Sequence, residues 1–298
     1  MRALVTGSDG FVGTWLCAHL ESQGDDVVAI TAHDADITDA EATAALIEEA
    51  APEAVYHIAG LANVAESWIT PGRTFAVNAN GTLNVIDGAR RLPAPPRVLL
   101  VSSAEVYGIV TPDQLPLTEE SPLRPVTPYA ASKVAAEYIG VQGHLGFGVP
   151  VIRVRPFNHV GPGQATAFVV RDLARRIALA EQKGDRTLTV GNLTPRRDFT
   201  DVRDVVRAYR LLIEKGTPGE VYNVSSGSAV AIGDLAARLL ALAGIDLELV
   251  TDPDLLRPVD VPVLLGDNTK LRDTTGWSPA ITLDATLADV LAEARAAL

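Results

Sequence analysis

The chain predicts an α/β protein, a doubly wound parallel sheet joined to a smaller, mixed α/β lobe. Three observations carry that reading. Up to about residue 154, short β-branched runs alternate with helix-like stretches. The first run leads straight into a glycine cluster that opens a helix. Beyond Pro156 the spacing becomes irregular, and proline and arginine accumulate. Strands alternating with helices form βαβ units, whose sheet is parallel and covered on both faces.

In order, the candidate strands are 3–6, 27–30, 54–58, 98–101 and 151–154, each a short apolar run bounded by polar residues or proline. Helices are expected over 12–23, 40–50, 74–91 and 128–146, with Gly24 and Gly148 as C-terminal stops. The Pro93–Pro96 stretch reads as a turn between helix and strand. In the lobe, helices are expected over 168–183, 202–214, 232–243 and 283–297.

Composition excludes several classes. With 298 residues, 47% of them hydrophobic, the chain can bury a full core. Its apolar runs are strand-length, so no membrane span is expected. The first run begins at Ala3 and leaves no room for a leader, and Cys17 is the single cysteine. A cytoplasmic protein with no disulfide and no metal site is therefore expected. A net charge of −12 argues against nucleic-acid or anionic-membrane partners. Between Arg153 and Arg210, however, 12 Lys/Arg stand against 6 Asp/Glu. That basic stretch reads either as solvated helix faces or as an anion site.

Gly7-Ser8-Asp9-Gly10-Phe11-Val12-Gly13 follows the first strand and opens the first helix. Glycines there allow a tight turn and let backbone N–H groups approach a dinucleotide pyrophosphate; a plain turn is the alternative. An acid ending the second strand would read the ribose of NAD, but the chain has Thr31-Ala32-His33-Asp34. The cofactor is therefore NADP or NAD. Asp36, followed by Ile37, can reach the adenine amine, whereas Asp39 reads as a helix cap.

Tyr129 and Lys133 stand four apart on one predicted helix and share a face. A phenol delivers a proton to a carbonyl oxygen if a neighbouring ammonium lowers its pKa from about 10, which is Lys133's expected task. Ser103 sits at a strand's C-terminal end, where parallel sheets place ligands, and its hydroxyl can hold the substrate oxygen.

The segments Thr6 to Gly13, His57-Ile58-Ala59-Gly60, Asn78-Ala79-Asn80-Gly81-Thr82, Ser102-Ser103-Ala104-Glu105-Val106-Tyr107-Gly108 and Tyr129-Ala130-Ala131-Ser132-Lys133 resemble, in order, the motifs of the extended short-chain dehydrogenase/reductases (the NAD-dependent epimerase/dehydratase family). The resemblance implies a Rossmann fold with Ser103, Tyr129 and Lys133 as catalytic triad. It also implies Ala59 and Gly60 beneath the cofactor, Asn78 as a brace, and Gly7, Gly10, Phe11, Val12, Asp36, Ile37 and Pro156 around the cofactor. Gly60 stands where the family usually has alanine.

The segment Arg155-Pro156-Phe157-Asn158-His159-Val160-Gly161-Pro162-Gly163-Gln164 is similar to the GDP-mannose branch of that family. It implies Asn158 at the substrate phosphates and Arg197 with Arg257 as a diphosphate clamp; pairing of these arginines with Asp198, Asp201 or Asp260 is the alternative. Through Tyr222-Asn223-Val224 and Thr275-Gly276-Trp277 the whole chain is similar to reductases of GDP-4-keto-6-deoxymannose that form GDP-D-rhamnose. Glu105 occupies the position of the acid/base glutamate of 4,6-dehydratases, so dehydratase and 4-epimerase readings with retained NAD(P) stay open. A non-catalytic dinucleotide sensor is the reading from another class. The resemblance also implies residues 1–157 and about 198–224 as the dinucleotide-binding domain, 158–197 and 225–298 as the substrate lobe, and a homodimer through helices near 82–91 and 128–146. Val134, Tyr138 and Val141 share a face there that serves either that interface or the core.

Overall fold

The alternating half folds as its periodicity dictates. The computed structural model describes residues 1–252 and 261–298. In chain order it forms β1 (Arg2–Thr6), α1 (Phe11–Ser22), β2 (Asp26–Ile30), α2 (Ala40–Ala50), β3 (Ala54–His57), α3 (Val64–Ile69), α4 (Pro71–Phe75), α5 (Gly81–Arg91), β4 (Arg97–Val101), α6 (Pro128–Phe147) and β5 (Val151–Pro156). Then follow β6 (Asn158–Val160), α7 (Val169–Lys183), β7 (Thr187–Val190), β8 (Arg196–Asp201), α8 (Val202–Lys215), β9 (Val221–Val224), β10 (Ala229–Ala231), α9 (Ile232–Ala243), β11 (Glu248–Thr251), β12 (Val263–Leu264), α10 (Thr269–Thr275) and α11 (Leu283–Ala296).

The main sheet runs β2-β1-β3-β4-β5-β9, with every pairing parallel. Its strands are apolar on both sides because both faces are covered. Ala3, Val5, Tyr56, Leu99, Ile152 and Val154 pack on Leu16 and Leu20 of α1 and on Val205, Tyr209 and Leu212 of α8. Their chain neighbours Leu4, Val55, Val98, Leu100 and Val151 point the other way, onto Ile47 of α2 and Val85, Ile86 and Ala89 of α5. Strand order reverses beside β1, and Thr6 lies opposite both Ile30 and His57. That crevice, outside the carboxyl ends of the strands, is where open parallel sheets receive ligands.

The lobe is built from α7, α9 and α11 over short strands, around Leu173, Ile177, Leu235, Leu239, Leu287 and Val290. There β8 pairs with β6 and β12 in parallel and with β10 antiparallel, while β7 pairs with β11. Carboxylates fasten the two cores together. Asp201 caps α8 and accepts from Thr286 Oγ1 of α11 at 2.6 Å, and Asp204 Oδ2 accepts from the Ala280 and Ile281 amides at 2.8 Å.

Three expectations are refined. The helix expected over 74–91 forms, but a π-helical turn at Ala76–Asn80 lies within it, between α4 and α5. One residue is accommodated there by widening the turn, a feature found often at functional sites. The basic stretch between Arg153 and Arg210 is largely neutralised by carboxylates. Arg155 pairs with Glu137, Arg171 with Glu293, Arg203 with Asp201 and Asp289, and Arg210 with Asp25 and Glu214. Much of it is thus a set of partnered arginines and not an open anion site. The face of Val134, Tyr138 and Val141 is also divided: Tyr138 is 63% exposed, whereas Val134 packs against Ala104, Val106 and Tyr107.

Candidate functional site

Gly7 adopts φ +73°, and a Cβ on it would lie 2.8 Å from the Ala59 Cα. A Cβ on Gly13 would lie 2.1 Å from the Gly7 carbonyl oxygen. Only glycine fits either place, so the loop packs against its own helix and against the end of β3. The Gly7 and Ser8 amides donate to Ile30 O at 2.8 and 3.0 Å, which ties the loop to the end of β2. No side chain caps α1, whose first turn therefore presents its amides to an anion. A cavity of about 300 Å³ opens at that point, lined by Asp9, Gly10, Phe11, Thr14, Trp15, Pro162 and Gly163. Phe11 stacks on His159 with ring centroids 6.0 Å apart, and Val12 turns inward onto the core. Gly60 leaves further room: a Cβ there would meet Asn78 Oδ1 at 3.0 Å and Lys133 Nζ at 3.3 Å. The glycine cradle and uncapped helix fit a dinucleotide.

Asn78 is held by the π-helical turn. Its Oδ1 accepts from the Leu61 amide at 2.8 Å, and its Nδ2 donates to Leu61 O at 3.1 Å and to Ser132 Oγ at 2.9 Å. The carboxamide thus couples the segment after β3 to α6. Behind it lies buried His57. Thr82 Oγ1 donates to Asn78 O at 2.7 Å, so it accepts from His57 Nε2 at 3.1 Å. His57 Nδ1 then accepts from Thr6 Oγ1 at 2.9 Å, and Thr6 Oγ1 accepts from the Ala59 amide at 3.3 Å. The chain fixes the tautomer. Burial, reinforced by Lys133's charge, lowers the imidazole pKa to about 3. His57 is a site residue to which its sequence motif assigns no role; its signal is an imidazole at the end of a buried strand.

Thr127 caps α6 through the Ala130 amide and Pro128 opens the helix, which sets Tyr129 and Lys133 one turn apart, both buried. Ser103 lies two residues beyond β4 and caps a 3₁₀ turn, its Oγ accepting from the Glu105 amide at 3.2 Å. Burial pushes the Tyr129 phenol up to about 12; a hydrogen bond with Ser103 lowers it and Glu105's charge raises it. The pull expected from Lys133 is exerted here by Ser103. Lys133 Nζ instead donates to Val101 O at 2.9 Å, and burial brings its ammonium down to about 8 against the opposing charge of Glu137. Ser103, Tyr129, Lys133 and Glu105 are thus gathered at the end of β4, with Pro156 ending the adjacent β5.

Asp36 Oδ1 accepts from Thr38 N at 2.9 Å and Thr38 Oγ1 at 2.8 Å, and Asp39 caps α2 through the Glu41 and Ala42 amides. Ile37 is buried and packs against Gly81. Asn158 lies half-buried on β6, opposite Phe199. Arg197 donates to the carbonyls of Arg196 and Val261 at 3.0 and 2.6 Å. Asp198, one of the carboxylates weighed as its partner, is occupied otherwise: it accepts from the Ser226 amide and hydroxyl and from the Gly227 amide, between 2.6 and 3.0 Å. Arg257 and Asp260 lie outside the described residues, and with them the clamp.

The family model for GDP-mannose 4,6 dehydratase matches residues 29–290. A GDP-6-deoxy-D-mannose reductase of Pseudomonas aeruginosa is 39% identical over 295 residues, spanning 98% of this chain and 96% of the relative. Among solved structures, RMD from Pseudomonas aeruginosa complexed with NADPH superposes with a TM-score of 0.92 at 36% identity, covering both chains completely. UDP-glucose 4-epimerase of Thermotoga maritima with UDP-glucose superposes with a TM-score of 0.91 at 26% identity, over 100% of this chain and 99% of the other.

Proposed function

The chain belongs to the GDP-mannose 4,6-dehydratase family, and from that premise we propose that it is an NAD(P)-dependent nucleotide-sugar oxidoreductase. Its reaction is reduction of the C4 keto group of a GDP-4-keto-6-deoxymannose-type sugar, giving GDP-D-rhamnose. The observation that carries this reading is the convergence of Ser103, Tyr129 and Lys133 beside the glycine cradle, in a chain 39% identical to a reductase. When bound, the reduced nicotinamide supplies hydride. Ser103 holds the carbonyl oxygen, and Tyr129 Oη releases its proton to that oxygen as charge develops there. Lys133, charged below about pH 8, stabilises the phenolate left behind.

Gly7, Gly10, Phe11, Val12, Ala59, Gly60, Asn78 and Pro156 hold the cofactor in this reading, with Asp36 and Ile37 at its adenine end. Asn158 and Arg197 face the sugar nucleotide. Residues 1–157 and about 198–224 form the dinucleotide-binding domain, and the rest the substrate lobe. Exposed Trp68, Ile69, Leu83, Tyr138 and Leu145 on α3, α5 and α6 support a homodimer through those helices. No described helix is long and apolar enough to cross a membrane, and a lone free cysteine fits the cytoplasm.

Glu105 supports a second reading. Its amide bonds Ser103 and its charge acts on Tyr129, where a carboxylate can take part in 4,6-elimination. The test mixes the protein with GDP-4-keto-6-deoxymannose and either NADPH or NADH, with GDP-mannose and UDP-glucose as controls. Net cofactor oxidation with the keto sugar supports the reductase. Conversion of a control sugar without added cofactor replaces it with a dehydratase or epimerase.

A further inference from the structure

An acid does stand at the end of β2, although not where the strand ends. After Ile30 the chain bends, and Asp34 Oδ2 reaches back to accept from the Thr31 amide at 2.8 Å and from Thr31 Oγ1 at 2.7 Å. His33 N donates to Thr31 Oγ1 at 3.2 Å and closes the bend. The Asp34 carboxylate is therefore fixed one residue beyond Ile30, whose carbonyl holds the Gly7 and Ser8 amides. Both Thr31 donors use Oδ2, which leaves the Oδ1 lone pairs for a ligand hydroxyl.

The surrounding charge points the same way. Between Arg2 and Arg73 the sequence contains no lysine or arginine, although this stretch supplies β1, the glycine loop and β2. Arg73 itself lies 4.0 Å from Glu66, and its charge is felt at Asp36. Asp34 and Asp36 instead follow β2, and Asp9 lines the cavity at the start of α1. A ribose 2′-hydroxyl can donate to a fixed carboxylate, whereas a 2′-phosphate there meets a like charge.

Resting on the dinucleotide reading above, we infer that Asp34 is the cofactor-specificity residue of this chain and that it selects NAD(H) over NADP(H). The Thr31 donors hold the Asp34 carboxyl below the usual carboxylate range, so it stays charged under working conditions. The solved relative in complex with NADPH makes this a point on which the present chain is expected to differ.

Isothermal titration of the full chain with NADH and NADPH measures the selectivity without turnover. The expected result is binding of NADH at least about tenfold tighter than NADPH, a gap that Asp34→Asn narrows about tenfold by weakening NADH and strengthening NADPH. Equal or tighter binding of NADPH to the unsubstituted chain overturns the inference, as does an Asp34→Asn variant with the original ratio. Binding of neither dinucleotide overturns the cofactor reading itself, so the two failures are told apart.

Discussion

Lys133 is buried with one hydrogen bond, to Val101 O, and its pKa falls from 10.5 to about 8. A shift of that size means that folding the cofactor-free chain at pH 7 costs about 3 kcal/mol in holding a desolvated ammonium. Lys133→Met keeps the length and apolar stem of the side chain and removes the charge. Loss of the hydrogen bond returns about 1 kcal/mol, so the variant should be stabilised by about 2 kcal/mol. In a chain of 298 residues that raises Tm by roughly 3 °C. The sign follows from linkage: the folded pKa lies below the unfolded one, so the penalty is complete below about pH 8 and vanishes above about pH 10.5. The assay is differential scanning calorimetry of both proteins without cofactor at pH 7 and pH 10.5. A Tm for Lys133→Met below that of the parent at pH 7, or a gain that persists unchanged at pH 10.5, refutes the reasoning. Turnover should fall by at least about a hundredfold in the stabilised variant, the trade-off expected where a site is held against its own stability.

Tyr129→Phe should lower kcat on the keto sugar by about 10²–10⁴-fold while leaving dinucleotide binding within a factor of about two, as checked by steady-state kinetics and titration calorimetry. Gly13→Ala should abolish dinucleotide binding, because its Cβ would lie 2.1 Å from Gly7 O and the loop must open; a retained Kd would contradict the packing described. Asp25 is buried, yet the guanidinium of Arg210 and the N-terminal ammonium outweigh desolvation and hold its pKa below 3.8. Asp25→Asn should therefore cost about 2 kcal/mol at pH 7. That deficit should shrink as pH falls through and below 3.8, where the parent carboxylate also takes up its proton, a trend that urea titrations at pH 7 and pH 3 would measure.

Five of the six main-sheet strands were legible as short apolar runs, a pattern needing no partner information; β9, at the edge beside β5, was not among the expected strands. The grouping of Ser103, Tyr129 and Lys133 was legible for a related reason: four-residue spacing on a helix and a serine just beyond a strand are local. The lobe's short strands were not, since Asn158–Val160 or Ala229–Ala231 become strands only through pairing with β8. Arginine partners lay equally out of reach, because Arg210 meets Asp25 and Arg171 meets Glu293 across long stretches of chain. Asp34 lies four residues beyond β2, and only the bend that its bond to the Thr31 amide closes brings its carboxylate back toward the strand end. The π-helical turn left no trace in the periodicity, although Asn78 in its motif marked the place.

The hydrogen-bonded file from Ala59 through Thr6, His57 and Thr82 to Asn78 has a bearing on how rate profiles of this protein are to be read. Imidazoles are the customary suspects when activity bends near neutrality. This one is a silent spacer: both ring nitrogens are committed, and its pKa of about 3 leaves it uncharged wherever the fold is intact. Burial brings Lys133 instead to about 8, so a lysine titrates in the range where histidine is customarily invoked.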